Sequence, residues 1–198
     1  LLLFCGLDAL MTGCRGEADA GEERQRYAWP LATASTEDTV THVFATTFAE
    51  EVDRLSEGAM KITVYPQSTL GVDRELLESC KDGDIPFVVQ SPATQVTFMP
   101  ELCIFDTPCV FKDVKEVRAA IDQEEFQKLI QEVYTDSGYR LLGLSDQNFR
   151  VMTSKKPFDG FESFKGQKIR TMENPFHIQF WKGVGANPTP MTFSEVYI

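Results

Sequence analysis

GQKIRTMENPFHIQFWKGVGANPTPMTFSEVY, Gly166–Tyr197, is the stretch whose reading decides the fold. Gln167–Thr171 reads as a short strand, and Asn174-Pro175 as the start of a helix. Asparagine at a cap accepts from the first free amides, and proline at the first helical position has no amide to satisfy. Phe176, Phe180 and Trp181 form the apolar face of that helix, expected as core rather than as a stacking platform, and Gly183 or Gly185 ends it. Thr192 with Glu195 has the spacing of a capping box, so another helix is expected to begin there. Arg170 closes the first strand, and Arg150 lies on a second strand-like run, Phe149–Thr153. Arginine presents a rigid fork of donors that fits a carboxylate in a bidentate way.

Working outward, the preceding chain alternates strands and helices. Tyr27–Thr33 reads as a strand, followed by the polar loop Ala34–Asp38, which can cap the helix after it. Val43, Phe44, Phe48, Val52 and Leu55 fall at helical spacing, closed by Gly58. Lys61–Tyr65 reads as a strand, Arg74–Lys81 as a helix and Ile85–Val89 as a buried strand. Leu102–Phe105 and Tyr139–Leu144 are also expected as strands, with helices at Val114–Ile121 and around Phe126–Tyr134. This rhythm implies an α/β fold with a largely parallel sheet, in which ligands sit beyond the carboxyl ends of strands. Gln90 and the Ala34–Asp38 loop follow strands and become candidate cleft positions.

A net charge of −11 argues against nucleic acid or an anionic membrane surface as the main partner. Two arginines held inside such a chain instead suggest a local site for a small organic anion. No nucleophile–base pair, GxSxG, phosphate-binding glycine loop or HExxH is visible, so no catalytic residue is assigned. His42 and His177 lack partners at metal spacing and are expected as satisfied or exposed side chains, with no metal and no cofactor.

The ordered phrases Val64-Tyr65-Pro66-Gln67-Ser68-Thr69-Leu70-Gly71-Val72-Asp73-Arg74-Glu75, Asp106–Phe111, Phe164-Lys165-Gly166-Gln167-Lys168-Ile169-Arg170 and Gly185–Met191 with Phe193–Tyr197 resemble one family. It is the DctP family, the solute receptors of tripartite ATP-independent periplasmic (TRAP) transporters, and the match runs from about Tyr27 to Ile198. The resemblance implies a two-lobed periplasmic-binding-protein-like α/β fold that closes on its ligand. It implies a receptor, not an enzyme, that captures a small organic acid and delivers it to the TRAP membrane permease subunits. Residue by residue, it places Arg170 on the arginine that clamps the ligand carboxylate and Arg150 on a second arginine facing the same group. Phe193 matches an aromatic beside the ligand, and Gln90 a polar position in the first lobe's cleft. Ala34 stands where some sialic-acid-binding members carry asparagine, which leaves the choice of acid open. A sensor module using the same lobes, or an α/β enzyme acting on a carboxylate, are the other classes in play.

Residues 1–14 read as the remnant of an export signal, and Met11-Thr12-Gly13-Cys14 resembles a lipobox, with Met11 departing from the usual branched aliphatic. Cys14 would then carry lipid, 15–26 would be a flexible tether, and the protein would be extracytoplasmic, in the periplasm or at the cell surface. The first lobe is expected over 27–146 and the start of a second over 147–198. The second stops soon after its last helix start, so the chain reads as C-terminally truncated and is expected not to bind ligand by itself. Cys103 and Cys109 lie in an apolar run and are expected as buried small hydrophobes. A disulfide among Cys80, Cys103 and Cys109 stays open for an exported chain.

Overall fold

The structure, a computed structural model, describes residues 26–196. The lipobox-like Met11–Cys14 and tether residues 15–25 lie outside the described residues, as do Tyr197 and Ile198. Strand β1 (Tyr27–Ala32) leads through a polar loop into helix α1 (Val40–Leu55) and strand β2 (Met60–Tyr65). Helix α2 (Asp73–Asp82) and the two-residue strand β3 (Phe87–Val88) follow. All three strands are parallel, in the order β2-β1-β3. Parallel pairing requires crossover helices, and α1 and α2 supply them on opposite faces. Leu31 and Ile62 pack with Ala45 and Ala49 of α1, whereas Ala32 and Ile85 pack with Leu76 of α2. Thr39 caps α1, its side chain accepting from the His42 amide. Gly83 ends α2 in the left-handed region at φ 87°, which a glycine adopts without Cβ strain.

Next come the short helix α3 (Pro92–Gln95), a 3-10 turn at Pro100–Asp106, and helices α4 (Val114–Ile121) and α5 (Glu124–Asp136). Val96, Met99 and Leu102 bury against Ile130 and Tyr134 of α5. The second sheet pairs β4 (Lys168–Thr171) in parallel with β5 (Asn187–Pro190), with helix α6 (Pro175–Gly183) between them. Among the described residues, no helix is long and apolar enough to cross a membrane.

Several expectations are corrected. Leu102–Phe105 belongs to the 3-10 turn rather than a strand: Pro100 opens that turn and Leu102 is buried against the α5 cluster. Tyr139–Leu144 and Phe149–Thr153 join no ladder. In the first, Tyr139, Leu141 and Leu144 pack directly onto the α5 cluster, so the apolar alternation serves packing rather than pairing. In the second, Val151 is 87% exposed, which leaves that apolar run without a face to bury. The expected strand Ile85–Val89 shrinks to Phe87–Val88, since Pro86 has no amide to donate. Conversely, Asn187–Pro190 pairs as β5 despite two prolines, because β4 lies on one side of it only. Thr192 makes no side-chain cap bond and opens only a 3-10 turn at Phe193–Glu195. Cys80, Cys103 and Cys109 are all free thiols, and Cys109 is exposed rather than buried. Phe176 and Phe180 are exposed too, at 39% and 45%, so the α6 aromatics form a partly open face rather than a core.

Candidate functional site

Parallel strands send all their carboxyl ends to one edge, and the loops leaving that edge carry the candidate residues. The turn after β2 brings Asp73 to the first position of α2. Gln90 and Ser91 follow β3, Met172 and Glu173 follow β4, and Met191 and Phe193 follow β5. The turn is held by backbone bonds from Gln67 to the Ser35 carbonyl, 2.9 Å, and from Ser68 to the Thr33 carbonyl, 3.3 Å. Both Gln67 and Ser68 sit at positive φ, 57° and 55°, an uncommon conformation for residues with a Cβ.

Arg170 is half-buried at the end of β4. Its Nε and one Nη donate to the Met191 carbonyl at 3.0 and 2.6 Å, which aims the guanidinium along the end of β5. The same guanidinium lies 5.9 Å from the Phe193 ring centroid, a cation–π distance. Arg170 forms no ion pair among the described residues. Burial lowers its pKa, the Asp73 carboxylate opposes that shift, and Arg150 adds to it. The second cation is therefore close enough to repel the first. Arg150, 54% exposed in its side chain, donates through Nη2 to Ser91 Oγ at 3.3 Å and to Met172 Sδ at 3.4 Å, and its Nε stands 3.9 Å from Asp106 Oδ1.

The opposing wall is acceptor-rich. Gln90 Nε2 donates to the Asp73 carbonyl at 2.7 Å, and Gln90 Oε1 is buried with no hydrogen-bond partner among the described residues. Burial pushes the Asp73 carboxyl up to about 6, against the attraction of Arg170 and with the repulsion of Glu173. Of the four expected residues, Gln90 follows β3, Arg170 lies in β4 and Phe193 opens the 3-10 turn after β5, whereas Arg150 lies on a segment outside any ladder and reaches Ser91 and Met172 in the loops after β3 and β4. Sequence reasoning missed Asp73, Ser91 and Met172, although each stands within two residues of a strand end or helix start. The Asp106 carboxylate accepts from Asn174 Nδ2 at 2.7 Å and pairs with His177 Nε2 at 2.8 Å. Concavity alone does not find the site. One groove of about 510 Å³ lies on the first sheet, lined by Ala28, Pro30, Thr63, Tyr65 and Leu70 among others. Another, of about 480 Å³, is lined by Phe161, Glu162, Lys165 and Gly183–Gly185. Neither contains an arginine.

An α/β chain with two neighbouring guanidiniums, an aromatic and a buried amide oxygen around the loops at its strand ends has the makings of a solute-binding protein. Residues 31–198 match the model of the DctP family, described as bacterial extracellular solute-binding protein, family 7, and the chain belongs to that family. A solute-binding protein of Verminephrobacter eiseniae is 36% identical over 152 residues, covering 76% of this chain and 45% of its own. The TRAP periplasmic solute-binding protein of a Polaromonas species, crystallised with D-erythronate, superposes with a TM-score of 0.80 at 32% identity, covering 87% of this chain and 57% of that one. The corresponding protein of Sulfurospirillum deleyianum, bound to succinate, gives 0.80 at 29% identity, with 87% and 56% covered. The chain spans about half the length of the relatives it matches. The family is one of extracytoplasmic solute receptors, and the fold is the α/β fold of its periplasmic members.

Proposed function

We propose that the protein is a TRAP transporter receptor that captures a small organic acid at Arg150 and Arg170 and hands it to the membrane permease subunits. The observation that carries this reading is Arg170: a half-buried guanidinium with no ion pair among the described residues, repelled by a second guanidinium and braced on a backbone carbonyl. A ligand carboxylate relieves that repulsion and accepts from both forks. Phe193 lies beside the acid, and Gln90 Oε1 offers an acceptor to a hydroxyl. Asp73 and Glu173 on the same side disfavour a second carboxylate, so we favour a monocarboxylic hydroxy acid over a dicarboxylate. The division into a first lobe over 27–146 and a second beginning at Gln147 belongs to this reading, with the arginines on the second and Gln90 on the first.

The test is calorimetric titration of the full-length receptor with D-erythronate and succinate. Erythronate is expected to bind more tightly, and Arg170→Lys to cost about 2–5 kcal/mol because lysine keeps the charge but loses the fork. Near-native affinity of Arg170→Lys for the bound acid overturns the assignment. We further propose anchorage through Cys14, supported by the lipobox-like Met11–Cys14. Cys14→Ser is expected to release the protein from the membrane fraction, and a mature N-terminus with an unmodified Cys14 refutes that anchor.

A further inference from the structure

Next to Arg150 lies a cluster of buried polar side chains, Asp106, Asn174 and His177. Asn174 is fully buried. Its Oδ1 accepts from the amides of Phe176, 2.9 Å, and His177, 3.1 Å, as the cap of α6. Its Nδ2 donates to the Ala93 carbonyl on α3, 2.9 Å, and to Asp106 Oδ2, 2.7 Å. With two bonds made by each end of the amide, Asn174 has no rotational freedom left. His177 Nε2 holds the other carboxylate oxygen, Oδ1, at 2.8 Å. The Asp106 side chain is only 4% exposed, so its charge must be met from within the protein.

We propose that Asp106 is the positioning residue for Arg150, and this rests on the reading of Arg150 as a ligand-facing cation. The two rigid donors fix the plane of the Asp106 carboxylate, and Oδ1 then faces Arg150 Nε at 3.9 Å. That separation attracts a charge but is too long for a hydrogen bond. Asp106 therefore orients the guanidinium without occupying its donors. The neutral Ser91 Oγ and the weak acceptor Met172 Sδ complete the cradle. A direct bidentate pair would have closed the fork to a ligand; a displaced carboxylate leaves it open. Because Asn174 and His177 belong to α6 while Asp106 and Ser91 precede α4, the cradle also joins the two sheet regions. Arg150 is held only where those regions meet in this arrangement.

The test is a double-mutant cycle of Asp106→Asn and Arg150→Ala in the full-length receptor, titrated with D-erythronate. Asp106→Asn is expected to weaken binding about tenfold or more, and to have no further effect once Arg150 is alanine. Equal loss in both backgrounds shows a residue that only holds α6 in place, and overturns the proposal. Should Asp106→Asn not fold, Asp106→Glu carries the same cycle, with the carboxylate kept but displaced by one methylene. If the protein binds neither erythronate nor succinate, the ligand reading fails, and the positioning role is judged without ligand. Hindered rotation of the Arg150 guanidinium, seen as separate Nη resonances in isotope-labelled protein, is then expected to be lost in Asp106→Asn and retained in Lys115→Ala. Separate resonances in both variants, or averaged ones in the unsubstituted protein, overturn it.

Discussion

The two sheets of this protein are built from the same βαβ unit but hold together by different physics. The first, β2-β1-β3, has apolar side chains on both faces and a helix on each: Leu31, Ala32, Leu76 and Leu77 are at most 2% exposed. The second, β4-β5, has one helix of its own. Among its described residues the buried ones are Thr171, Asn174 and Ala186. Its aromatic side chains do contact one another, with Phe164 and Trp181 ring centroids 5.6 Å apart, but Phe161 is 75% exposed. Apolar burial stabilises the first region, whereas polar contacts to the first region hold the second. Burial is non-directional and tolerates small shifts, but a saturated amide and a paired carboxylate fix one orientation. Arg150 and Arg170, which we propose as the ligand-facing pair, sit on the region that is oriented rather than deeply packed.

The comparison breaks most severely at Leu76. Leu76→Ala removes a fully buried side chain between β1 and α2, and is expected to cost about 2–5 kcal/mol in thermal or denaturant unfolding. Loss should be global, since both regions depend on the first sheet. Asn174→Ala comes next and acts differently. It removes the α6 cap, worth about 1 kcal/mol, and strips a donor from the buried Asp106 carboxylate, worth about 1–3 kcal/mol. Amide exchange is the discriminating measurement. Protection is expected to fall across β4, α6 and β5 while β1 and β2 keep theirs. A uniform drop over both regions would show that the second sheet is not held by this contact.

Much of this division was legible in the sequence, and the failures share a cause. The α1 stripe, the Asn174-Pro175 helix start and the Gly83 stop are local signals, and the corresponding elements form where expected. Strands depend on partners that local pattern does not reveal. Phe149–Thr153 has a strand's composition and no ladder, while Asn187–Pro190 has two prolines and a ladder to β4. Charge type pointed to Arg150 and Arg170 as candidates, and position after a strand pointed to Gln90. Nothing in the spacing of Asp106, Asn174 and His177 announces that they meet, because Asp106 is separated from Asn174 by 68 positions and from His177 by 71. A buried asparagine with both amide ends satisfied reads in sequence as an ordinary helix cap.

The smallest expected effect sharpens the comparison at the place where the two regions face each other electrostatically. Asp73 heads α2 on the first region, and Arg170 closes β4 on the second. Burial is the main cause that lifts the Asp73 carboxyl from 3.8 to about 6, with Glu173 adding to the rise and Arg170 resisting it. A carboxyl raised in the folded state binds its proton more tightly there than in the unfolded chain. Between about pH 4 and pH 6 the folded state therefore holds the extra proton, and this group's contribution to stability falls as pH rises through that window. Above pH 6 a constant penalty remains, on the order of 1–2 kcal/mol once partial exposure is discounted. Asp73→Asn is expected to recover that amount at pH 7, to gain nothing at pH 3.5, and to flatten the slope between. Removing the charge also removes the Asp73 attraction that opposes the effect of Arg150 on Arg170. Measured by unfolding across pH 3.5–7.5, an Asp73→Asn curve parallel to that of the unsubstituted protein would place the carboxyl in water, and the two regions farther apart than the attraction of Arg170 for Asp73 requires.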